Sequence, residues 1–362
     1  MRLDTQVIII GGGQAGLATA FYLRRAGLTP GEDFAVLDAG TEPGGSWQHM
    51  WEGLRLFSPA TYSSLPGWMM PAWDDSRLGF PPRAHVVDYL TRYEARYDLR
   101  VLRPHRVTSV ARADDDPAGL MTLAAGEVTA SARFVVSATG TWDRPFWPAY
   151  PGMREFRGRQ LHAAHYHAPG ELAGRRVVVV GGGNSAAQIL AEVSRVAATT
   201  WVTVRPPRFL PDDVDGRVLF ATARARIRAL SEGREHTGVA GLGDIVMVPS
   251  VVDARERGVL EPHPMFTRLT PTGVVWADGT EQAADAVIWC TGFRPALRHL
   301  TGLRLHGEAG RVEVGGPSGT RLRREPRLYL VGYGDWVGPA SATLAGVGPS
   351  ARDTADDIIA RL

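Results

Sequence analysis

The chain twice repeats one pattern of apolar and polar positions. In the first copy, residues 6–10 (QVIII) form a short β-branched run, residues 11–16 (GGGQAG) interrupt it, and residues 17–26 follow with helical spacing. Another apolar run at residues 33–37 ends at Asp38. Runs without alternating polar positions are typical of strands buried on both faces of a parallel sheet. The pattern therefore predicts a strand–helix–strand unit.

The second copy covers residues 177–204, where VVVV precedes the turn GGGNSA (181–186). Residues 141–174 contain several prolines and histidines, and they predict a crossover between domains. Further buried strands are predicted at 134–138, 286–289 and 328–331, and further helices at 86–97 and 350–362. The repeated unit predicts an α/β protein with two Rossmann-like dinucleotide-binding domains.

The first glycine turn matches a dinucleotide-binding motif. Gly11, Gly13 and Gly16 give the spacing GxGxxG, and Asp38 lies 22 residues beyond the last of them. In this motif the glycines permit a tight turn, approach of a pyrophosphate and close helix packing, and an acidic residue binds ribose hydroxyls. We therefore expect FAD at the first turn, because a flavin explains why one chain has two nucleotide sites that exchange a hydride.

The second turn differs at the position that contacts the ribose. Gly181, Gly183 and Ala186 give GxGxxA, and the following strand ends at Arg205, with Arg208 nearby and no acidic residue. A carboxylate there would repel a 2′-phosphate, whereas a guanidinium can bind one through two hydrogen bonds. The sequence predicts NADPH at this turn, with NADH as the possible alternative. A surface role for Arg205 in an arginine-rich chain is the other interpretation.

The position of the second unit predicts the domain boundaries. We expect a discontinuous FAD-binding domain made of residues 1–150 and 293–362, with a nicotinamide-nucleotide domain at 151–292 inserted between its parts. The nicotinamide domain would then be continuous in sequence.

Composition excludes several classes of function. The net charge is +2 without a long basic run, so we expect neither a nucleic-acid nor a membrane-surface partner. The chain has no lysine, which excludes Schiff-base chemistry, and Cys290 is its single cysteine, which excludes an internal dithiol. No run of 18 apolar residues predicts a membrane span, and the first residues do not match a secretory signal. A cytoplasmic location is expected.

A set of motifs makes the assignment specific. Residues 156–166 (FRGRQLHAAHY) contain the pattern FxGxxxHxxxY, between the two glycine turns. Further motifs are GGSW (44–47), SATG (137–140), CTGFRP (290–295) and GYGDW (332–336). With the glycine turns, they make the chain similar to the class B flavin-containing monooxygenases over nearly its whole length. It is most similar to the short bacterial members that oxidise sulfides, and the ending Tyr166-His167 favours this branch over the Baeyer–Villiger enzymes.

The resemblance implies an activity. In this family NADPH reduces FAD, reduced FAD takes up O2 to form a C4a-(hydro)peroxyflavin, and a thioether or amine attacks its terminal oxygen. The chain is thus expected to be an oxidoreductase that forms sulfoxides from small apolar sulfides, and the resemblance implies a homodimer. Alternatives are Baeyer–Villiger oxidation of ketones, an NADPH oxidase or reductase without oxygen insertion, and a non-catalytic redox sensor.

The resemblance also implies the site residues. The residues expected to contact FAD are Gly11, Gly13, Gln14, Ala15, Gly16, Asp38, Gly45, Trp47, Thr139 and Asp335. Those expected to hold the nicotinamide nucleotide are Gly181, Gly183, Asn184, Ser185, Gln188, Arg205 and Thr291. The motif formed by Phe156, Gly158, His162 and Tyr166 is expected to brace the crossover between domains, without proton transfer by His162.

Two departures from the family pattern affect the expected chemistry. Many members have an asparagine beside the flavin, whereas the only asparagine here is Asn184, and Phe57 stands in the corresponding region. Phe57 is therefore the candidate flavin neighbour, and its apolar ring predicts faster loss of the oxygenated intermediate unless another donor serves. The closest bacterial members carry a histidine at the position of Arg205 and tolerate NADH, so Arg205 favours NADPH.

Two clusters have competing interpretations. His162, His165 and His167 match HxxHxH, but no carboxylate or cysteine completes a metal site, so no metal is expected. Aromatic residues after the first unit are either walls of a substrate cavity or ordinary loop anchors: Trp47, Trp51, Phe57, Tyr62, Trp68, Trp73 and Phe80.

The assignment of Arg205 can be tested by substitution. Arg205→Ala should lower kcat/KM for NADPH and leave kcat/KM for NADH almost unchanged, because only NADPH carries the 2′-phosphate. Steady-state kinetics with both nucleotides measure this. An unchanged ratio of the two values would make Arg205 an ordinary surface residue.

Overall fold

The computed structural model describes residues 2–73, 79–114, 116, 119–212, 214, 216–218, 221, 225, 245–305 and 312–362. Its α-helices over this part of the chain are α1 (Gln14–Arg25), α2 (Arg83–Arg96), α3 (Asn184–Val193), α4 (Pro249–Glu256) and α5 (Val347–Ile359). The strands are β1 (Arg2–Ile10), β2 (Phe34–Leu37), β3 (Ser109–Arg112), β4 (Met121–Ala125), β5 (Val128–Ser137), β6 (Arg159–His162), β7 (Arg176–Val180), β8 (Ala198–Thr203), β9 (Pro262–Pro264), β10 (Arg268–Leu269), β11 (Gly273–Val275), β12 (Glu281–Ala283), β13 (Ala286–Trp289), β14 (Val314–Gly315), β15 (Arg321–Leu322) and β16 (Leu328–Leu330).

The first sheet takes strands from both ends of the chain. Among the described residues its order is β14-β15-β16-β5-β1-β2, and the antiparallel strands β3 and β4 extend it from the amino-terminal half of β5. The pairs β1–β2, β1–β5 and β5–β16 are parallel. Ile10 pairs with both Leu37 and Ser137, so these strands end at one edge of the sheet.

The second sheet is parallel throughout. Its order is β6-β13-β7-β8-β9, and Val180 pairs with Trp289 on one side and Val202 on the other. A separate antiparallel sheet contains β10, β11 and β12. All these strands lie between residues 159 and 289, between the two segments that form the first sheet. The predicted α/β fold is confirmed.

The core explains why the strand sequences are apolar without alternation. Val7 and Ile9 pack in the cluster that includes residues of α1, α2 and α5, whereas Ile8 and Ile10 pack in a cluster on the opposite face. The second sheet repeats this arrangement, because Val177 and Val179 share a cluster with α3 residues while Val178 and Val180 do not. Both central strands are therefore buried on two faces.

The structure extends several elements beyond their predicted ends. Helix α2 begins at Arg83 instead of residue 86, since Pro82 precedes it as the N-cap. Helix α5 begins at Val347, three residues earlier than expected, and its first turn packs in the core. None of the helices over the described ranges is long and apolar enough to cross a membrane.

A buried ion pair beside β16 gives a stability prediction. Glu325 accepts hydrogen bonds from Arg327 and Arg112, and the side chains of Glu325 and Arg327 are only 2% and 5% exposed. Burial raises the pKa of Glu325, but these guanidinium groups outweigh it and hold the pKa below its usual value. Glu325→Ala should lower the free energy of unfolding by about 3 kcal/mol, because it leaves a buried guanidinium without its carboxylate.

Urea unfolding followed by circular dichroism measures this loss. The difference in the free energy of unfolding between wild type and Glu325→Ala should have its full size at pH 7. It should become smaller as the pH falls through the lowered pKa of Glu325, because protonation of Glu325 weakens the ion pair in the wild type. Asp353→Ala, which removes an exposed partner of Arg352, is the matched control and should change the midpoint little. A Glu325→Ala midpoint equal to that control would contradict the prediction.

Candidate functional site

The two glycine turns follow equivalent strands and have equivalent contacts. Gly11 has φ of +108° and a Cβ there would lie 2.5 Å from the Ala138 carbonyl oxygen. Gly181 has φ of +142° and its Cβ would lie 2.5 Å from the Cys290 carbonyl oxygen. Each glycine therefore lets the turn press against the neighbouring strand's end, which no side chain would allow.

Open space lies in front of both helices. Gly13 is the N-cap of α1 and Gly183 is the N-cap of α3, and neither end has a side-chain cap. A Cβ at Gly13 would meet only Gly45 within 4 Å, and one at Gly183 would meet nothing. The first-turn N–H groups and the helix dipole are thus available to a phosphate at each turn, so both turns fit a dinucleotide.

The third motif position differs between the turns. A Cβ at Gly16 would lie 1.8 Å from the Gly11 carbonyl oxygen, which excludes any side chain at that position. Ala186 occupies the corresponding position of α3 and is buried. The second turn therefore leaves room for one methyl group where the first leaves none.

Asp38 is oriented by a buried arginine. The Arg103 Nε donates to Asp38 Oδ2 at 3.0 Å, and Arg103 also binds both carboxylate oxygens of Glu94, at 2.7 and 2.8 Å. The Arg103 side chain is 9% exposed. Although burial lowers its pKa, the two carboxylates outweigh this and raise the Arg103 pKa above its usual value. Asp38 thus stands as a fixed carboxylate at the edge of the first sheet.

The register of the second sheet identifies the counterpart of Asp38. Gly11 N donates to Leu37 O and Gly181 N donates to Val202 O, so Thr203 occupies the position of Asp38. Strand β8 ends at Thr203, and Arg205 lies two residues beyond it with an exposed side chain. The position equivalent to Asp38 is therefore not acidic, as expected, but a buried threonine occupies it in place of Arg205. The Arg205 guanidinium lies further along the chain, at the exposed edge of the sheet.

One cavity reaches both turns. It has a volume of about 1340 Å³, beyond the roughly 300–1,000 Å³ of most small-molecule pockets. Twelve of the site residues selected from the sequence line it: Gly11, Gly13, Gln14, Ala15, Asp38, Gly45, Trp47, Phe57, Thr139, Asn184, Ser185 and Gln188. The cavity thus joins the space in front of α1 to the start of α3.

Gln14 connects three segments around the first turn. Its Nε2 donates to the Ala342 carbonyl oxygen at 2.6 Å, and its Oε1 accepts from the Trp47 indole at 3.1 Å. Gly45, in the same GGSW segment as Trp47, approaches Gly13 so closely that a Cβ would lie 2.8 Å from the Gly13 Cα. These contacts explain why the sequence motif GGSW belongs to this site.

Thr139 belongs to a buried polar chain at the cavity wall. Its hydroxyl lies 2.7 Å from the Tyr333 hydroxyl, which lies 2.8 Å from the Ser137 hydroxyl, and Ser137 lies 3.0 Å from His299 Nε2. Burial lowers the pKa of His299 to about 4, so this imidazole is neutral at pH 7. These hydrogen-bonded side chains therefore anchor the carboxyl end of β5 without any charged group among them.

The other selected residues lie away from the cavity lining. Thr291, which follows β13, donates its hydroxyl to the Phe146 carbonyl oxygen at 2.5 Å. This hydrogen bond joins the segment after β13 to the crossover at residues 141–174. Asp335 accepts from Ala340 N at 3.1 Å in an exposed turn. The remaining residues outside the lining are Gly16, Gly181, Gly183, Arg205, Phe156, Gly158, His162 and Tyr166.

The FxGxxxHxxxY motif forms internal contacts at the crossover. His162 Nδ1 accepts from Ala164 N at 3.0 Å and its Nε2 lies 3.1 Å from the Gly292 carbonyl oxygen. Burial lowers the pKa of His162, and the hydrogen bond to Gly292 opposes this only in part. A Cβ at Gly158 would lie 2.4 Å from the Phe156 ring, so the glycine makes room for that buried phenyl group.

The aromatic segment divides between the two interpretations. Trp47, Trp51 and Phe57 line the cavity. Trp68 instead packs against Tyr89 and beneath Arg92, at 5.2 Å from ring centroid to guanidinium carbon. The segment therefore contains both cavity walls and loop anchors.

Comparison with known proteins assigns the family. The profile of the pyridine nucleotide-disulphide oxidoreductases matches residues 8–240, more than half of the chain. A solved flavin-containing monooxygenase from Stenotrophomonas maltophilia is 50% identical, with 99% of each chain covered and a TM-score of 0.87. The chain belongs to the flavin monooxygenase family.

Other monooxygenases are similar at lower identity. A Baeyer–Villiger monooxygenase from Streptomyces coelicolor is 32% identical over 85% of this chain and 67% of its own length. An indole-3-pyruvate monooxygenase from Oryza sativa is 28% identical over 97% and 90%. The resemblance to flavin monooxygenases is therefore confirmed, and the names of these two relatives give different activities.

Several cationic residues of the monooxygenase line the cavity without having been selected from the sequence. They are Arg55, Arg106, Arg144 and Arg298, and Arg106 forms an ion pair with Asp143 at 2.5 Å. All 40 Lys and Arg residues of the chain are arginines, so residue type alone gives no signal. Arg103 was missed for a different reason, because its partner Asp38 lies 65 residues away in sequence. Glu192, which accepts a hydrogen bond from the indole of the cavity residue Trp51, was also missed because the two lie 141 residues apart.

Arg103 should affect flavin binding through Asp38. Arg103→Met leaves the carboxylates of Asp38 and Glu94 close together without a cation, so Asp38 loses its orientation. We expect the dissociation constant of FAD to rise about 10- to 100-fold, the equivalent of one charged hydrogen bond. Equilibrium dialysis with flavin fluorescence measures it. Arg100→Met, at a nearby exposed ion pair, is the control, and equal affinities in the two variants would refute the prediction.

Proposed function

We propose that this enzyme uses NADPH and O2 to oxygenate soft nucleophiles, with sulfides converted to sulfoxides as its main reaction. The observation that carries the proposal is the single cavity lined from both glycine turns, by Gly11 and Gly13 on one side and by Asn184 and Ser185 on the other. Two dinucleotides bound at these turns would have their reactive ends in one shared cavity.

The proposed cofactor assignment follows the charges around each turn. FAD would bind at the first turn, with its pyrophosphate at α1 and its adenosine ribose at Asp38. NADPH would bind at the second turn, because Thr203 carries no charge to repel a 2′-phosphate and Arg205 is exposed two residues later. We assign residues 1–150 and 293–362 to the FAD-binding domain and residues 151–292 to the nicotinamide domain.

The overall reaction is sulfide + NADPH + H⁺ + O2 → sulfoxide + NADP⁺ + H2O. A bound flavin would supply the redox chemistry with NADPH and O2. The protein's own residues bind and orient the reactants and keep water away. Burial raises the pKa of the single cysteine, Cys290, to about 12, so its thiol stays protonated at neutral pH and the proposed reaction assigns it no role.

The cavity walls near Phe57 fit an apolar substrate. Leu54, Leu56 and Phe57 line the cavity together with Trp51, and Leu54 and Phe57 also pack against the core that contains α3. Apolar walls exclude water from the reacting atoms and favour a thioether over a charged amine.

Baeyer–Villiger oxidation is the second candidate. The 32% identity to a Baeyer–Villiger monooxygenase favours it. An NADPH oxidase or reductase is the third, favoured by Phe57 at the cavity wall, because a phenyl ring donates no hydrogen bond to an oxygenated flavin. We also propose that the enzyme is a homodimer and that it is located in the cytoplasm.

Product analysis tests the proposed reaction. The purified holoenzyme with NADPH, O2 and an aryl methyl sulfide should form sulfoxide in an amount close to the NADPH consumed, with little H2O2. Sulfoxide is measured by chromatography and H2O2 by a peroxidase assay. H2O2 equal to the NADPH consumed would identify an oxidase, and ester formed from a cyclic ketone without any sulfoxide would identify Baeyer–Villiger oxidation. A sulfide-free reaction provides the control.

A further inference from the structure

A carboxylate at the end of α3 joins both sides of the cavity. Glu192 Oε1 accepts from the Trp51 indole at 3.1 Å, and Glu192 Oε2 accepts from the Tyr166 hydroxyl at 3.0 Å. Trp51 is 5% exposed and Tyr166 is 1% exposed, so both donors depend on this acceptor. One carboxylate thus connects the nicotinamide-side helix, the crossover motif and the segment that follows GGSW.

The segment at 51–57 lies directly on this carboxylate. A Cβ at Gly53 would lie 1.9 Å from Glu192 Oε1, and Glu52 N donates to the His167 carbonyl oxygen at 3.0 Å. Beyond Gly53 the same segment contributes Leu54, Arg55, Leu56 and Phe57 to the cavity wall. A shift of the contact at Glu192 therefore moves these cavity residues.

Glu192 is also coupled to the second glycine turn. Gln188, which lines the cavity, lies four residues earlier in α3, and residues four apart share one face of a helix. Asn184 begins this helix and its Oδ1 accepts from Val246 N at 2.8 Å. The helix therefore has its cavity-lining residues at one end and the Glu192 contact at the other.

We propose that Glu192 is a positioning residue that sets the distance between the flavin and the nicotinamide. The proposal rests on the proposed function, since it assigns the two rings to the two sides of the cavity. Hydride transfer needs reacting atoms about 3–3.5 Å apart, and a misplacement of about 1 Å costs roughly 100-fold in rate. Glu192 holds the 51–57 segment to α3, and so fixes this separation.

Two substitutions separate hydrogen-bond geometry from charge. Glu192→Leu keeps a similar volume and removes both acceptors. Glu192→Gln keeps the contacts without the charge, because its amide oxygen can accept from Trp51 and its NH2 can donate to the Tyr166 oxygen. Glu256→Leu makes the first change at an exposed glutamate that ends α4, and provides the matched control.

Single-turnover reduction of the bound flavin at saturating NADPH is the kinetic readout. Glu192→Leu should slow it at least about 10-fold, with FAD content unchanged and the dissociation constant of NADP⁺ within about threefold of wild type. Glu192→Gln should restore a rate close to wild type. A Glu192→Leu protein that reduces its flavin at the rate of wild type, or a Glu192→Gln protein as slow as Glu192→Leu, would overturn the proposal.

Hydrogen exchange provides a readout that does not depend on activity. In the oxidised holoprotein without NADPH, backbone amides of residues 51–57 should exchange faster in Glu192→Leu than in wild type, Glu192→Gln or Glu256→Leu. Unchanged exchange would overturn the positioning role. If wild-type flavin is not reduced by NADPH, the proposed function fails, and the exchange result still decides whether Glu192 holds the segment.

If Glu192→Leu does not fold, Trp51→Phe and Tyr166→Phe test the positioning role of Glu192 instead. Each removes one donor, so each should slow flavin reduction, and the double variant should be slowed by less than the product of the two effects, because both act through one carboxylate. Independent effects that multiply would contradict a shared contact at Glu192.

Discussion

The close approach of each glycine turn to the end of a neighbouring strand is the constraint on which the site depends. Gly11 lies against the Ala138 carbonyl and Gly181 lies against the Cys290 carbonyl, so each turn packs closely on the edge of its sheet. The helices that follow begin with uncapped N–H groups facing open space. A larger residue at either glycine would raise the turn into the space that a pyrophosphate needs.

Two such turns make an oxidoreductase only if their sheets are held in a fixed relation. At the crossover, the Thr291 hydroxyl donates to the Phe146 carbonyl oxygen, and His162 contacts Ala164 and Gly292 at the end of the second sheet. The Glu192 contact adds a second attachment on the other side of the cavity. Contacts at both places suit the proposed enzyme, in which the rate would depend on the separation of two rings.

The sequence was informative where structure follows from local periodicity. Strand β1 and helix α1 were predicted because burial on two faces and the glycine spacing are both visible within about 20 residues. Contacts between residues that are distant in sequence could not be predicted in this way. Arg103 lies 65 residues from Asp38, and Trp51 lies 141 residues from Glu192. These pairs depend on how the elements pack, and side-chain type in an arginine-rich chain does not reveal them.

The charges near the two turns differ, and the difference fits the proposed binding of FAD at the first turn and NADPH at the second. At the first turn the Asp38 carboxylate is held by Arg103, which also binds both carboxylate oxygens of Glu94, so this guanidinium is already paired with two carboxylates. At the second turn, the same strand position holds Thr203. A neutral residue does not repel a phosphate, and in the proposed assignment charge selection falls to Arg205 on the exposed rim, where binding should weaken with salt. The preference between NADPH and NADH is thus expected to depend on ionic strength, whereas FAD binding through buried groups is not.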